Sequence, residues 1–248
     1  MTRGSLVNHM IVAVNQPYFC PFAGFFYKLQ LCDVLVLLDS VQFPQGTTWI
    51  TRNRFKNDQG ALWITVPVWK KGLGPQRISD VRICHEGRWR RKHLQSLKSA
   101  YRHAPYFAEH REFFELIFSP QVERILDVNL QAIERARECL EVGTKIVLLS
   151  ELGIDATGNR LLIEICRALK ADQFVAQSAV GKYLDQDLFT AAGIEVHWFK
   201  YPEWIYPQLW GDFIPNLSVF DLIFNYGRKA RDILLADARP AKRLDGLA

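Results

Sequence analysis

The stretch Asn15-Gln16-Pro17-Tyr18-Phe19-Cys20-Pro21-Phe22-Ala23-Gly24-Phe25-Phe26 decides how the chain folds. An apolar run at 11–14 precedes it, and another at 34–38 follows and ends at Asp39. Runs this short and this apolar read as strands covered on both faces. Between them lie amides, aromatics, two prolines and a glycine, then room for a short helix. The reading is strand, rigid loop, helix, strand. In an open α/β sheet the ligand sits beyond the carboxyl ends of the strands. The loop after the first strand is therefore the first candidate site, and Asp39 stands at the same edge.

Working outward, 145–149, 173–176 and 195–199 supply three more buried strands, which alternate with helical segments at 159–170 and 184–192. That alternation implies a parallel sheet. Between Trp49 and Ile83 the character changes. Runs at 48–51 and 63–66, joined by the turn Asn57-Asp58-Gln59-Gly60, read as an antiparallel pair. Residues 88–142 read as three helices, broken at Ala104-Pro105 and Ser119-Pro120, because the residue before a proline resists helix. The expected fold is α/β: a mostly parallel, Rossmann-like sheet with a small antiparallel excursion and a helical insertion. Residues 10–235 read as a single domain with a helical cap at about 88–142. Residues 1–9 read as an extension ahead of a natural start at Met10, and 236–248 as a frayed tail.

The 248 residues carry a formal net charge of +5, which suits a small anionic substrate and does not by itself call for nucleic acid. Five scattered cysteines without CxxC spacing indicate neither a disulfide framework nor a zinc site, so reduced thiols in the cytoplasm are the simplest reading. No apolar run is long enough to span a bilayer, and residues 1–9 lack the apolar segment of a signal peptide.

Five constellations carry the candidate chemistry. Gln16, Tyr18, Asp39, Arg52 and Asn53 gather amides, a carboxylate and a guanidinium suited to phosphate or carboxylate; loop capping and a surface ion pair are the plainer alternative. The basic segment from Arg88 to Arg102 puts Trp89, His93 and Leu97 on one helical face, with His93 pointing inward; a solvated basic face is the alternative for its cations. Ser150 and Glu151 follow one strand, where Ser150 also reads as a helix cap. Gln177 to Tyr183, with Lys182 and Tyr183, follow the next strand and could present backbone N–H groups to an anion. Gln208 and the stretch 216–227 close the set. Ser218 reads as an N-cap completed by Asp221, and Asn225 lies one turn on. Buried in an apolar helix, Asp221 and Asn225 are expected to bond to the 15–24 loop.

Read together, the QPYF–P–GFF, LLDSVQF with TRNR, W–KH–Y, LLSEL, GKYLD and PNLSVFDLIFNYG segments resemble the WbqC-like family, in its order, from about Met10 to about Arg228. The resemblance implies a bacterial cytoplasmic protein of O-antigen, other surface-polysaccharide or secondary-metabolite biosynthesis. At Cys20 the family usually has an apolar or aromatic residue, so a thiol nucleophile is not implied. The strand–loop–helix–strand start is also similar to nucleotidyltransferase-type folds, but Gly24-Phe25-Phe26 stands where those enzymes place a phosphate-contacting histidine.

The leading expectation is transfer of an acyl or aminoacyl group to an amine of an activated sugar or similar small anionic molecule, with a nucleotide-linked sugar or a carrier-bound acyl donor as the expected partners. His93 is the expected base, and Asp39 is expected to orient either His93 or the amine. Gln16, Tyr18, Arg52, Asn53, Ser150, Glu151, Lys182, Tyr183, Gln208, Asp221 and Asn225 are the expected binding residues. No metal is assigned and no cofactor is specified. The rivals are a nucleotidyltransferase- or ligase-type enzyme using ATP or CTP at Gln16, Ser150 and Lys182, and a non-catalytic scaffold.

Overall fold

A computed structural model of the chain describes residues 9–236. The extension and the tail therefore lie outside the described residues, His9 and Ala236 apart. Strand β1 (Ile11–Asn15) leads through the loop to helix α1 (Ala23–Gln30) and β2 (Val34–Leu37). A hairpin of β3 (Arg52–Asn57) and β4 (Gly60–Thr65) follows, then helices α2 (Trp89–Tyr101), α3 (Arg111–Ile117) and α4 (Ile125–Leu140). The chain returns through β5 (Lys145–Leu148), α5 (Leu149–Leu152), α6 (Gly158–Ala168), β6 (Gln173–Gln177), α7 (Gln186–Ala191) and β7 (Glu195–Phe199). It closes with α8 (Val219–Tyr226) and α9 (Lys229–Leu235).

Five strands form one parallel sheet in the order β5-β2-β1-β6-β7, and β3 and β4 form a separate antiparallel pair. Successive residues of a strand face opposite sides. Val12, Val34, Val36 and Phe174 enter a core with α6 and α7. Ala13, Leu35, Leu37 and Val175 enter a second core shared with α1, α4, α8 and the hairpin. Helices α2 and α3 belong to that second core through Leu97, Tyr101 and Phe114, so the helical insertion is packed onto the sheet rather than held apart from it.

The antiparallel excursion begins later than its sequence suggested. Residues 48–51 form a turn, in which the Thr48 hydroxyl accepts the Ile50 N–H at 3.2 Å and Thr51 N–H returns to the Thr48 carbonyl. A threonine that closes its own backbone turn takes those residues out of a ladder, and pairing starts at Arg52 opposite Thr65. At the other end, Gly227 terminates α8 with φ of 54°. A Cβ there would lie 2.7 Å from the Tyr106 ring, so both backbone and packing require glycine.

The loop between β1 and α1 has no ladder of its own, and its buried carbonyls must find donors elsewhere. Asn129 of α4, fully buried, donates to Pro17 O at 2.7 Å and Ile50 O at 2.9 Å. It joins the helical insertion to the loop at the sheet edge. Replacing Asn129 with Ala leaves two buried carbonyls unpaired, and orphaned acceptors destabilise by roughly 1–3 kcal/mol each. The Asn129→Ala protein should therefore melt several degrees below wild type in differential scanning calorimetry. An unchanged midpoint would show that the loop does not depend on this clamp.

Candidate functional site

Reading along the sheet, the chain builds outward from β1 through β2 to β5, then crosses back and builds β6 and β7 on the other side. The order reverses between β1 and β6, and the crevice at such a reversal is the natural ligand site of an open sheet. A cleft of about 1010 Å³ lies there. Val14, Asn15 and Gln16 at the end of β1 and Ala176 and Gln177 at the end of β6 line its floor. The segment after β7 supplies the opposite wall with Tyr201, Trp204, Tyr206 and Phe213, and Tyr18, Trp49 and Arg54 stand at the near side. Glu203 is the one acidic side chain of this lining among the described residues. A lining rich in amides and aromatic rings, with Lys28 and Arg54 as cations, favours a planar or ring-bearing anion.

Lys28 is the unusual group. It lies in α1, whose other residues are apolar or uncharged, and it is only 8% exposed. Its Nζ donates to Val14 O at 3.2 Å and to Asn15 Oδ1 at 2.6 Å, and neither acceptor is a carboxylate. Desolvation disfavours a buried ammonium and lowers this lysine to about 8, with the neighbouring Cys32 opposing weakly. Burial in turn pushes the Cys32 thiol up to about 12. The result is an amine near neutrality at the floor of the cleft.

Gly24 explains the glycine of the opening motif. A Cβ there would come within 2.3 Å of the Phe22 ring and 2.8 Å of Tyr201, two rings that wall the cleft. Cys20 is fully buried with φ of 41°, and burial holds its thiol well above the ordinary range. It does not line the cleft.

Of the residues singled out from sequence, Gln16, Tyr18, Asn53 and Tyr183 line the cleft. Tyr183 is 71% exposed at its mouth. Asn53 lines it while committed to the fold. Its amide donates to Phe19 O and Cys20 O, and its oxygen accepts from Arg54 N. Asp39 and Ser150 do meet at the sheet edge, one strand over: Asp39 accepts the Ser150 N–H at 2.9 Å and its hydroxyl at 2.6 Å. Asp39 thus secures the start of α5, where Glu151 also accepts the Leu148 N–H.

The remaining sequence-selected residues stand outside the cleft lining. His93 is half-buried against the end of β4. Its Nε2 lies 2.9 Å from Thr65 O, and burial lowers its pKa. Asp39 is not among its partners, because each of the two carboxylate oxygens is taken by Ser150. The Arg52 guanidinium stacks on Trp63, 3.5 Å from the ring centroid. Lys182 Nζ lies over the ring of Tyr183, 4.9 Å from its centroid. Gln208 braces its own loop through Ile214 and receives Lys56 Nζ.

Asp221 and Asn225 correct an expectation. Asp221 is fully buried, but it accepts the hydroxyls of Tyr101 at 2.7 Å and Tyr206 at 2.9 Å, not groups of the 15–24 loop. Burial raises its pKa, and the two tyrosines and Lys56 oppose that rise. Asn225 donates to the Asp221 carbonyl one turn back in the same helix at 2.7 Å, a local bond that needs no loop. The loop instead meets this helix through backbone, Val219 N donating to Pro21 O.

Sequence reading missed Lys28 and Arg54. One signal for Lys28 was present: a single charge inside the apolar run Ala23–Gln30. The sign of its titration gives a prediction. Below pH 8 the lysine is protonated both folded and unfolded, and burial destabilises the fold in full. Between about 8 and the ordinary 10.5, the unfolded chain keeps the proton and the folded chain does not, so stability from this group rises with pH. Lys28→Met should therefore raise the unfolding free energy at pH 7, by up to roughly 3 kcal/mol less the two hydrogen bonds lost, and the melting temperature with it. The gain should shrink as pH rises past 8. A Lys28→Met protein less stable than wild type at pH 7 would make the lysine a structural group.

Comparisons across whole chains agree with the motifs. The WbqC-like protein family model matches residues 16–233. The uncharacterized protein Rv1507c of Mycobacterium tuberculosis (strain ATCC 25618 / H37Rv) is 30% identical over 225 residues, 90% of this chain and 96% of the relative. No solved structure matches the chain. The family match starts at Gln16 on the cleft floor and runs into α9. Cleft floor, hairpin, helical insertion and closing helices all fall inside it, and the chain belongs to the WbqC-like protein family.

Proposed function

We propose that the protein is a group-transfer enzyme working in the switch-point cleft, moving an acyl or aminoacyl group onto an amine of a small anionic molecule such as an activated sugar. The observation that carries this reading is Lys28. An amine acceptor is an unreactive ammonium until it loses a proton, and the acceptor of that proton works best with a pKa near the working pH. With a pKa of about 8, roughly a quarter of Lys28 is neutral at pH 7.5.

In the proposed step, Lys28 Nζ takes the acceptor's proton and the freed nitrogen attacks the donor carbonyl carbon. A C–N bond forms, the bond to the donor's leaving group breaks, and the leaving group departs with the electron pair and takes up the second proton of the attacking nitrogen. Val14 O and Asn15 Oδ1 hold the resulting ammonium. Arg54 and the amides of Gln16 and Gln177 bind the anionic and polar parts of the substrate, and the tyrosine and tryptophan rings take its flat or ring faces. Positioning in this walled cleft supplies much of the rate. His93 and Asp39, away from the cleft, have supporting roles in this account. The family's association with surface-polysaccharide and secondary-metabolite clusters agrees with such a substrate and with work in the cytoplasm. Among the described residues no helix is long and apolar enough to cross a membrane.

The test begins with a deletion strain of the source organism. Mass spectrometry identifies the amine-bearing intermediate that accumulates, and the purified protein is assayed on it. Wild type should convert it with a rate that rises through about pH 8 and then levels. Lys28→Met should lose at least a hundredfold in kcat while staying folded. Lys28→Arg, which keeps the charge but cannot give up its proton, should bind the substrate and turn it over no faster than Lys28→Met. Wild-type kcat in Lys28→Arg would exclude the lysine as base.

A further inference from the structure

Two tryptophans stand half out of water at the near side of the cleft. Trp49 is 42% exposed and Trp63 39%, and their rings stack with centroids 5.8 Å apart at 27°. Arg54 pairs with Trp63 across the hairpin, so Arg52, Arg54 and Trp63 share one face of it. The Arg52 guanidinium lies 3.5 Å from the centroid of the Trp63 ring, and that of Arg54 lies 6.0 Å from both rings. Neither arginine is ion-paired with a carboxylate among the described residues. Large rings left in water beside a concave site mark a binding surface, and these two come with cations whose charge nothing neutralises.

The platform is fixed before any ligand arrives, which lowers the cost of binding. The Trp49 carbonyl accepts the Phe19 N–H at 2.8 Å, and Trp49 sits inside the turn that Thr48 closes. Arg54 Nη2 donates to Pro215 O at 3.1 Å and Asn216 O at 3.2 Å, which aims the guanidinium and leaves its charge uncompensated. Trp49 and Arg54 line the cleft, and Arg52 and Trp63 back them from outside its lining. In the function proposed above, on which this step rests, the amine-bearing part of the substrate lies at Lys28 on the floor. The rim is then left for the group that activates it. That group must offer a flat face to an indole and negative charge to a guanidinium. A free sugar offers the first without the second, and an inorganic anion the reverse. At about 1010 Å³ the cleft lies at the upper end of the volumes that hold drug-sized ligands, more than an amino sugar alone fills. We propose that the Trp49–Arg54 rim binds a nucleoside diphosphate, with the base stacked on Trp49 and the phosphates on Arg54, so that the substrate carried to Lys28 is nucleotide-activated.

The test is isothermal titration calorimetry of the purified protein with UDP, dTDP, CDP, GDP and ADP, with the parent nucleosides, pyrophosphate and glucosamine 1-phosphate as controls. At least one diphosphate should bind with Kd below about 1 mM, and about tenfold or more tighter than its nucleoside, pyrophosphate or the sugar phosphate. Preference for a pyrimidine or guanosine diphosphate puts the nucleotide on the sugar. Preference for ADP, with coenzyme A binding as well, puts it on the acyl donor, and either preference supports the site. Trp49→Ala should lose about tenfold for the diphosphate, and Trp49→Phe, which keeps a ring, should recover most of it. Arg54→Gln should abolish the advantage of the diphosphate over its nucleoside. No diphosphate binding, pyrophosphate or glucosamine 1-phosphate binding as tightly as the best nucleotide, or binding indifferent to both Trp49→Ala and Arg54→Gln would each overturn the proposal. These titrations involve no turnover, so they stand apart from the Lys28 assays. Nucleotide binding together with wild-type kcat in Lys28→Arg would remove the base and keep the site, and no nucleotide binding together with the expected loss in Lys28→Arg would remove the site and keep the base.

Discussion

The loop after β1 must be held open at the end of a buried strand without hydrogen bonds of its own, and the rest of the molecule is arranged around that constraint. Three separate elements supply its donors. Asn53 of the hairpin reaches Phe19 and Cys20, Asn129 of α4 reaches Pro17, and the backbone of Val219 at the start of α8 reaches Pro21. Each donor comes from a part of the chain far away in sequence. A loop carbonyl left without its partner would keep the cost of its desolvation with nothing to offset it. This gives the hairpin and the helical insertion a physical purpose: they are the scaffold that fixes the cleft's near wall.

Two buried ionisable side chains show how the same fold treats charge in opposite ways. Asp221 has two tyrosine hydroxyls aimed at it and lies completely away from solvent. A buried acid so satisfied fixes packing, here joining α8 to α2 and to the strap after β7. Lys28 has acceptors but no counter-charge, and it faces a cleft. Burial without compensation is a stability loss, and such losses are retained where chemistry uses them. The contrast lies in what surrounds each charge, which residue type alone does not reveal.

Most of the fold was legible in the sequence, because parallel strands buried on both faces leave short apolar runs that no amphipathic helix imitates. Even the helix breaks at Pro105 and Pro120 fell between α2, α3 and α4. The excursion's first strand was misplaced because Thr48-Trp49-Ile50-Thr51 has strand composition, while a threonine hydroxyl closing a local turn leaves no trace in composition. The loop after β1 was legible as one wall of the cleft, whereas the strand order that sets the cleft between β1 and β6 was not. The identity of its working groups was only partly legible. Gln16 and Tyr18 were found because they sit in the opening loop. Arg54 was passed over for Arg52, its neighbour but one on the same face of β3, and only the pairing of the hairpin against the strap decides which of the two reaches the cleft.

His93 shows why residue type misleads at a sheet edge. An inward histidine on an amphipathic helix has the composition of a general base, and its half-buried ring has the lowered pKa that burial brings. Yet its ring nitrogen is already occupied by the main chain at Thr65, the last residue of an edge strand whose next partner is missing. There the imidazole does what a further strand would have done, meeting the backbone groups that the two-stranded hairpin leaves unpaired. Lys28 occupies the complementary situation, bonded to the Val14 carbonyl and the Asn15 side chain at the end of a central strand and lining the crevice. Both side chains finish the end of a strand. Only the lysine lies at the point where the strand order reverses and lines the crevice there, and that topological difference, more than basicity, sets the two side chains apart.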